Sequence, residues 1–269
     1  MDEAFAAHYE LGVELTRLIP EGEASLELVR TLELLERLLP PPPADVLDVG
    51  GGPGVYASIL ARRGYRVHVV DVLELHVEQA AAAAAAQPEA SFTVACGDAR
   101  DLDEQDESWD VALLLGPLYH LTEPEDRLRA LSEARRVLRP GGLVVGAAIS
   151  RFASLLDGFR QGFLADPIFL GLVERDLEDG QHRNPAGIDR PEWFTTSFLH
   201  HPDQLAQEVA ASGLALEAVF GIEGPGWLFE NWWSDLRRRE IVLQAARMVE
   251  QEPALQAISG HLLVAARRP

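Results

Sequence analysis

The chain has 269 residues, enough to bury a large core in one domain with insertions, and its 47% hydrophobic and 25% charged residues exclude a disordered or collagen-like chain. Its 43 acidic residues against 23 basic ones leave a net charge of −20, which repels a nucleic-acid polyanion, and no apolar run reaches the roughly 18 residues of a membrane span. All the basic residues are Arg; without Lys there is no pyridoxal-phosphate Schiff base, no Walker lysine and no kinase phosphate-pairing lysine.

From residue 2 to 39, apolar positions at helical spacing (Leu11, Leu15, Leu18; then Leu28, Leu32, Leu35, Leu39) predict two helices split by Pro20-Glu21-Gly22. Pro40 to Pro43 cannot continue a helix, so residues 1–43 read as an N-terminal helical cap and linker. The pattern then alternates: strand Val46 to Val49, a helix near 54–63, strand Arg66 to Val70, and an alanine-rich helix near 74–86. Strands follow at 91–95, 110–115 and 143–149, with a helix at 124–138 stopped by Arg139-Pro140-Gly141-Gly142. Such alternation predicts parallel βαβ units and a doubly wound α/β core over 44–150. Lone Cys96 allows neither an intrachain disulfide nor a cysteine metal cluster, and the acidic start lacks a signal-peptide pattern, so a cytoplasmic protein is expected.

After Ser150 the rhythm breaks. Residues 151–201, rich in Arg, His and aromatics, read as an insertion, and 202–269 as the completion of the sheet: a helix at 202–212, strands at 214–222 and 258–266, and an added helix at about 228–252. Trp227, Trp232 and Trp233 there line an acceptor site, pack the added helix onto the sheet, or form a homodimer contact. No His or carboxylate set has metal-ligand spacing, since His200 and His201 point apart on any regular element, and no metal is expected.

The glycine-rich turn after the first strand reads VLDVGGGPG at 46–54. Glycines there let backbone N–H groups approach a ligand closely. Gly52, Gly54 and Ala57 satisfy a permissive dinucleotide fingerprint, which keeps a nicotinamide-dependent oxidoreductase among the alternatives. Asp48, Gly50, Gly52 and Gly54, however, form D-x-G-x-G-x-G, which resembles motif I of the class I S-adenosylmethionine-dependent methyltransferases, small-molecule branch. The resemblance continues through Asp71 after the second strand, Cys96-Gly97-Asp98-Ala99 after the third, and WDVALLLGPLYHL at 109–121.

It implies a mostly parallel, seven-stranded Rossmann-like sheet with a final antiparallel strand, N-terminal helices and a lid insertion. The implied cofactor is S-adenosyl-L-methionine, leaving as S-adenosyl-L-homocysteine, bound by Asp48, Gly50, Gly51, Gly52, Gly54, Asp71, Val72, Leu73, Gly97, Asp98, Ala99, Leu115 and Gly116. Asp71 would take the ribose diol, Asp98 the adenine amino group, and Asp48 would hold the loop through backbone N–H groups or reach the donor's amino group through water. Tyr119 and His120 would lie near the methyl group as the catalytic pair, His120 as base. Substrate-binding candidates are Tyr9, Arg151, His182, Arg190, Glu192, Trp193, His200 and Trp227, whose cations and aromatics suit an anionic or aromatic small molecule. Gly116-Pro117-Leu118-Tyr119 stands where amino-methylating DNA enzymes carry an Asn-Pro-Pro-Tyr type sequence, which again opposes nucleic acid. Donor binding with chemistry other than methyl transfer is the further alternative.

Overall fold

Successive side chains of a strand face opposite sides of a sheet. Val46 packs with Val69, Val111 and Val145 on one side, while Leu47 packs with Ala112, Leu114 and Val144 on the other. An apolar run buried on both faces is the signature of a central parallel strand, and it accounts for the architecture seen in the computed structural model, which describes residues 14–185 and 190–269.

Nine strands form among the described residues: β1 (Asp45–Val49), β2 (Arg66–Asp71), β3 (Thr93–Cys96), β4 (Trp109–Leu114), β5 (Leu138–Ser150), β6 (Gln181–His182), β7 (Ser197–His200), β8 (Ala215–Gly221) and β9 (His261–Arg267). β3, β2, β1, β4 and β5 run parallel in that order. β9 then pairs antiparallel with β5, Leu143 opposite Arg267, and with β8. The helices are α1 (Glu14–Arg17), α2 (Leu26–Leu38), α3 (Val55–Arg62), α4 (Glu74–Ala85), α5 (Pro117–His120), α6 (Pro124–Val137), α7 (Ala153–Gln161), α8 (Pro167–Asp179), α9 (Pro202–Ala211), α10 (Glu230–Ser234) and α11 (Leu236–Val249).

α2, α3 and α4 cover one face of the sheet through Leu34, Leu35, Leu60 and Ala80; α6 and α9 cover the other through Leu131, Leu205 and Val209. α2 starts where it does because the Ser25 hydroxyl accepts the Leu28 N–H at 3.1 Å. α8 begins on the Asp166 side chain and stops at left-handed Gly180, φ 81°.

The expected seven-stranded sheet is present as β3-β2-β1-β4-β5-β9-β8, and the insertion adds two strands. At its far end β5 pairs with β7 through Ile149 and Ser150, and β7 carries β6 as a short ribbon. Two-residue β6 and polar-flanked β7 lack an alternating pattern long enough to be read. The single added helix expected at 228–252 is two helices, because Asp235 turns the chain and caps α11 by accepting the Arg237 N–H at 3.0 Å. Of the two predicted N-terminal helices, the first falls mostly outside the described residues. Between β1 and β4 the strand order reverses, opening a crevice at the carboxyl ends of the parallel strands.

Candidate cofactor and acceptor site

A cavity of about 530 Å³ occupies that crevice. Of the donor-site candidates, all but Gly54 and Leu73 line it. Gly52, left-handed at φ 56°, presents bare backbone to the cavity. Gly54 turns away to cap α3, backed by Phe92, whose ring would lie 3.0 Å from a side chain placed there.

The two acidic residues at the ends of β1 and β2 behave differently from expectation. Asp71 is the residue that organises the glycine turn: Oδ2 accepts the Gly52 N–H at 2.9 Å, while Oδ1 accepts the Leu73 N–H at 2.9 Å and lies 3.2 Å from His76 Nδ1. Asp48, given the loop-holding role from the sequence, holds none of it. Both of its oxygens are buried without a hydrogen-bond partner, and burial followed by the charge of Asp71 pushes its carboxyl up to about 7. Asp98 accepts the backbone and guanidinium of Arg100, whose hydrogen bonds hold its carboxyl below the usual range; Arg100 reaches on to Asp126 at 2.7 Å.

Tyr119 and His120 on the single turn of α5 also line the cavity, their rings 4.5 Å apart. Burial raises the Tyr119 phenol well above its ordinary value, so it keeps its proton and can offer it as a hydrogen-bond donor. Phe194 of the insertion stacks on His120 at 6.1 Å and holds φ 71°, a backbone region that large side chains rarely adopt.

The substrate-binding candidates do not converge here. Tyr9 lies outside the described residues. His182 is buried between Asp176 and the Trp193 carbonyl, each at 2.7 Å, and Trp193 packs edge-on against Phe169. Arg151 donates to the Leu199 carbonyl at 2.8 Å, and His200, the last residue of β7, lies 3.2 Å from Glu208. Arg190 and Glu192 pair with each other in solvent. Trp227 donates to the Ile258 carbonyl at 2.7 Å and Trp233 to the Ala24 carbonyl at 3.2 Å, so both pack the added segment onto the body. Of the insertion's candidates, His182, Arg151, Trp193 and His200 are held in its own packing.

Other residues close the cavity instead: Arg183 and Thr196 from the β6–β7 ribbon, Tyr56 from α3, and Glu14 and Arg17 from α1. No local motif announces them, because they come from segments far apart in the chain. Arg17 donates to Glu14 at 2.9 Å and Glu27 at 2.5 Å. Behind them, Glu27 lies 3.9 Å and Glu223 2.5 Å from His261 Nδ1. Glu27, Glu223 and His261 thus bring ligand-type atoms within 4.8 Å of one another, a grouping the sequence spacing hid. Burial alone would depress His261, but Glu27 and Glu223 push it up to about 9, which favours an imidazolium paired with the two carboxylates.

Residues 46–142 match a family described as a methyltransferase domain. An uncharacterized methyltransferase of Mycobacterium sp. (strain JLS) is 40% identical over 193 residues, covering 71% of this chain and 68% of that protein. The chain belongs to the class I S-adenosylmethionine-dependent methyltransferases. A ubiquinone biosynthesis O-methyltransferase of Maricaulis maris is 35% identical over 178 residues, covering 66% of this chain and 61% of that protein. Among solved structures, the (4+2)-cyclase SpnF superposes with a TM-score of 0.63 at 20% identity, covering 98% of this chain and 95% of that one. With the family given, the dinucleotide reading of Gly52, Gly54 and Ala57 is set aside. The cavity of this methyltransferase fits S-adenosylmethionine: Gly50 to Gly52 leave the backbone bare, Asp71 and Asp98 offer acceptors at the end of the crevice formed by β2 and β3, and Asp48 offers two buried oxygens that no described residue satisfies. No helix among the described residues is long and apolar enough to cross a membrane.

Proposed function

We propose that this methyltransferase acts on the oxygen, nitrogen or carbon nucleophile of a small, anionic or aromatic acceptor, in the cytoplasm. The observation that carries the reading is that Tyr119 and His120 line the same cavity as Asp48 and Asp71, which lets an acceptor meet the donor in one crevice. When bound, S-adenosylmethionine supplies an activated methyl group on a sulfonium, and the work left to the protein is alignment and proton removal. Asp71 accepts the ribose diol and Asp98 the adenine amino group, while Leu115 and Gly116 flank the amino-acid portion. His120 takes the proton of a hydroxyl acceptor. Tyr119, kept neutral, orients the nucleophile by hydrogen bonding. Arg183, whose guanidinium is half-exposed, meets the acceptor's anionic substituent. Exposed Leu236, Ile241 and Met248 on α11 support a homodimer contact.

The test is incubation with methyl-labelled S-adenosylmethionine and a panel of phenols, carboxylated aromatics and amines. Label transferred to an acceptor, with equal release of S-adenosylhomocysteine, supports the reading. The fold shared with SpnF favours a second one, a donor-binding protein with other chemistry; it predicts donor binding with no labelled acceptor from any class.

A further inference from the structure

The donor has two charged groups at its amino-acid end, an ammonium and a carboxylate, and neither can be buried without a partner. Asp48 meets the ammonium's requirement; the carboxylate needs a cation. Arg17, Arg100 and Arg183 are the Arg residues among the described lining of the cavity. Arg100 is saturated by Asp98 and Asp126. Arg183 sits on the insertion, tied to Gln181 at 3.0 Å in solvent. Arg17 is on α1, and Glu14 of the same turn lies 3.7 Å from where a side chain on Gly52 would begin, so α1 overlies the glycine turn itself. Its Nε is committed to Glu14 and its Nη1 to Glu27, and among the described residues no hydrogen bond takes Nη2.

Burying ion pairs yields little net stability against apolar replacements, so what this cluster positions explains it better than what it stabilises. Glu27 is anchored from behind: His261, the first residue of β9, presents Nδ1 to it at 3.9 Å, and Glu223 fixes His261 by accepting both its backbone N–H at 3.0 Å and its ring nitrogen at 2.5 Å. We propose that Arg17 takes the carboxylate at the amino-acid end of the donor, and that Glu27, steadied by His261 and Glu223, is the positioning residue that aims it. This rests on the donor assignment. It makes Arg17 a binding residue for S-adenosylmethionine and S-adenosylhomocysteine alike, and couples the antiparallel edge of the sheet to the donor site.

The experiment is calorimetric titration of the full chain and of Arg17→Gln, Glu27→Gln and His261→Gln with two ligands. S-adenosylhomocysteine carries the amino-acid end; 5′-methylthioadenosine lacks it. Arg17→Gln should bind S-adenosylhomocysteine tenfold or more weakly, as expected for losing a charge-assisted hydrogen bond, and bind 5′-methylthioadenosine unchanged. Glu27→Gln and His261→Gln should each lose severalfold for S-adenosylhomocysteine alone. Equal losses for both ligands would mean that α1 is merely structural, and unchanged S-adenosylhomocysteine affinity in Arg17→Gln would place the carboxylate elsewhere; either overturns the proposal. If Arg17→Gln responds while the other two do not, the positioning role of Glu27 is wrong. If the unaltered protein binds neither ligand, the donor assignment fails, and this inference with it.

Discussion

At Asp48 the demands of folding and of binding oppose each other. Its carboxyl ionises near 7 in the folded chain and near 4 once unfolded, so between those values the folded state holds a proton that the unfolded state releases. Stability from this group therefore falls as pH rises from about 4 to about 7, and the full penalty stands above 7. Asp48→Asn, of nearly equal volume, should raise the unfolding midpoint of the ligand-free protein at pH 8 and much less at pH 5; equal midpoints at both would show that the carboxylate finds a partner when charged. Asp71 has the opposite character, since its oxygens already hold the Gly52 and Leu73 N–H groups. Asp71→Ala removes the proposed ribose acceptor and frees the turn, and a loss of donor affinity of tenfold or more is expected by calorimetry.

Between elements, two polar clusters fasten parts the apolar core does not reach. Arg127 on α6 is fully buried; it donates to the Leu121 and Thr122 carbonyls at 2.8 Å and to Glu208 of α9 at 2.7 Å, with the Phe198 ring of β7 at 3.7 Å. Removing one partner of a buried pair strands the other, so Arg127→Ala should cost about 3–5 kcal/mol in denaturant unfolding. A cost under about 1 kcal/mol would mean that the cluster relaxes into water. The second cluster joins α1 and α2 to β9 through Arg17, Glu27, Glu223 and His261. The folded-state value of His261, about 9, lies above its unfolded value near 6.5, so its stabilisation is complete below 6.5 and is lost as pH rises toward 9. His261→Gln should flatten the fall in stability between pH 7 and 9; an unchanged slope would assign that fall to other groups.

For the molecule as a whole, what was legible in the chain was what lies close together in it. The cavity wall at the strand ends was readable because each strand end delivers its own short motif, Asp48 to Gly52, Asp71 and Val72, Gly97 to Ala99, and Leu115 with Gly116, and the parallel sheet gathers those ends by topology alone. The rest of the cavity lining was not readable, because Glu14, Arg17, Arg183 and Thr196 meet only after distant segments pack, and composition drew attention to insertion residues such as His182 and Arg151 that are held in the packing of the insertion instead. Asp48 and Asp71 exchanged loop-holding work for the same reason: both sit at strand ends, and only geometry decides which carboxylate faces the Gly52 N–H. The central claim, that this crevice is a donor site, is tested most directly by thermal unfolding with S-adenosylmethionine, S-adenosylhomocysteine and NAD, each at a hundred times its expected dissociation constant. Both sulfur nucleotides should add about 2.7 kcal/mol, a shift of several degrees, with none from NAD. Stabilisation by NAD alone, or by none of the three, would contradict it.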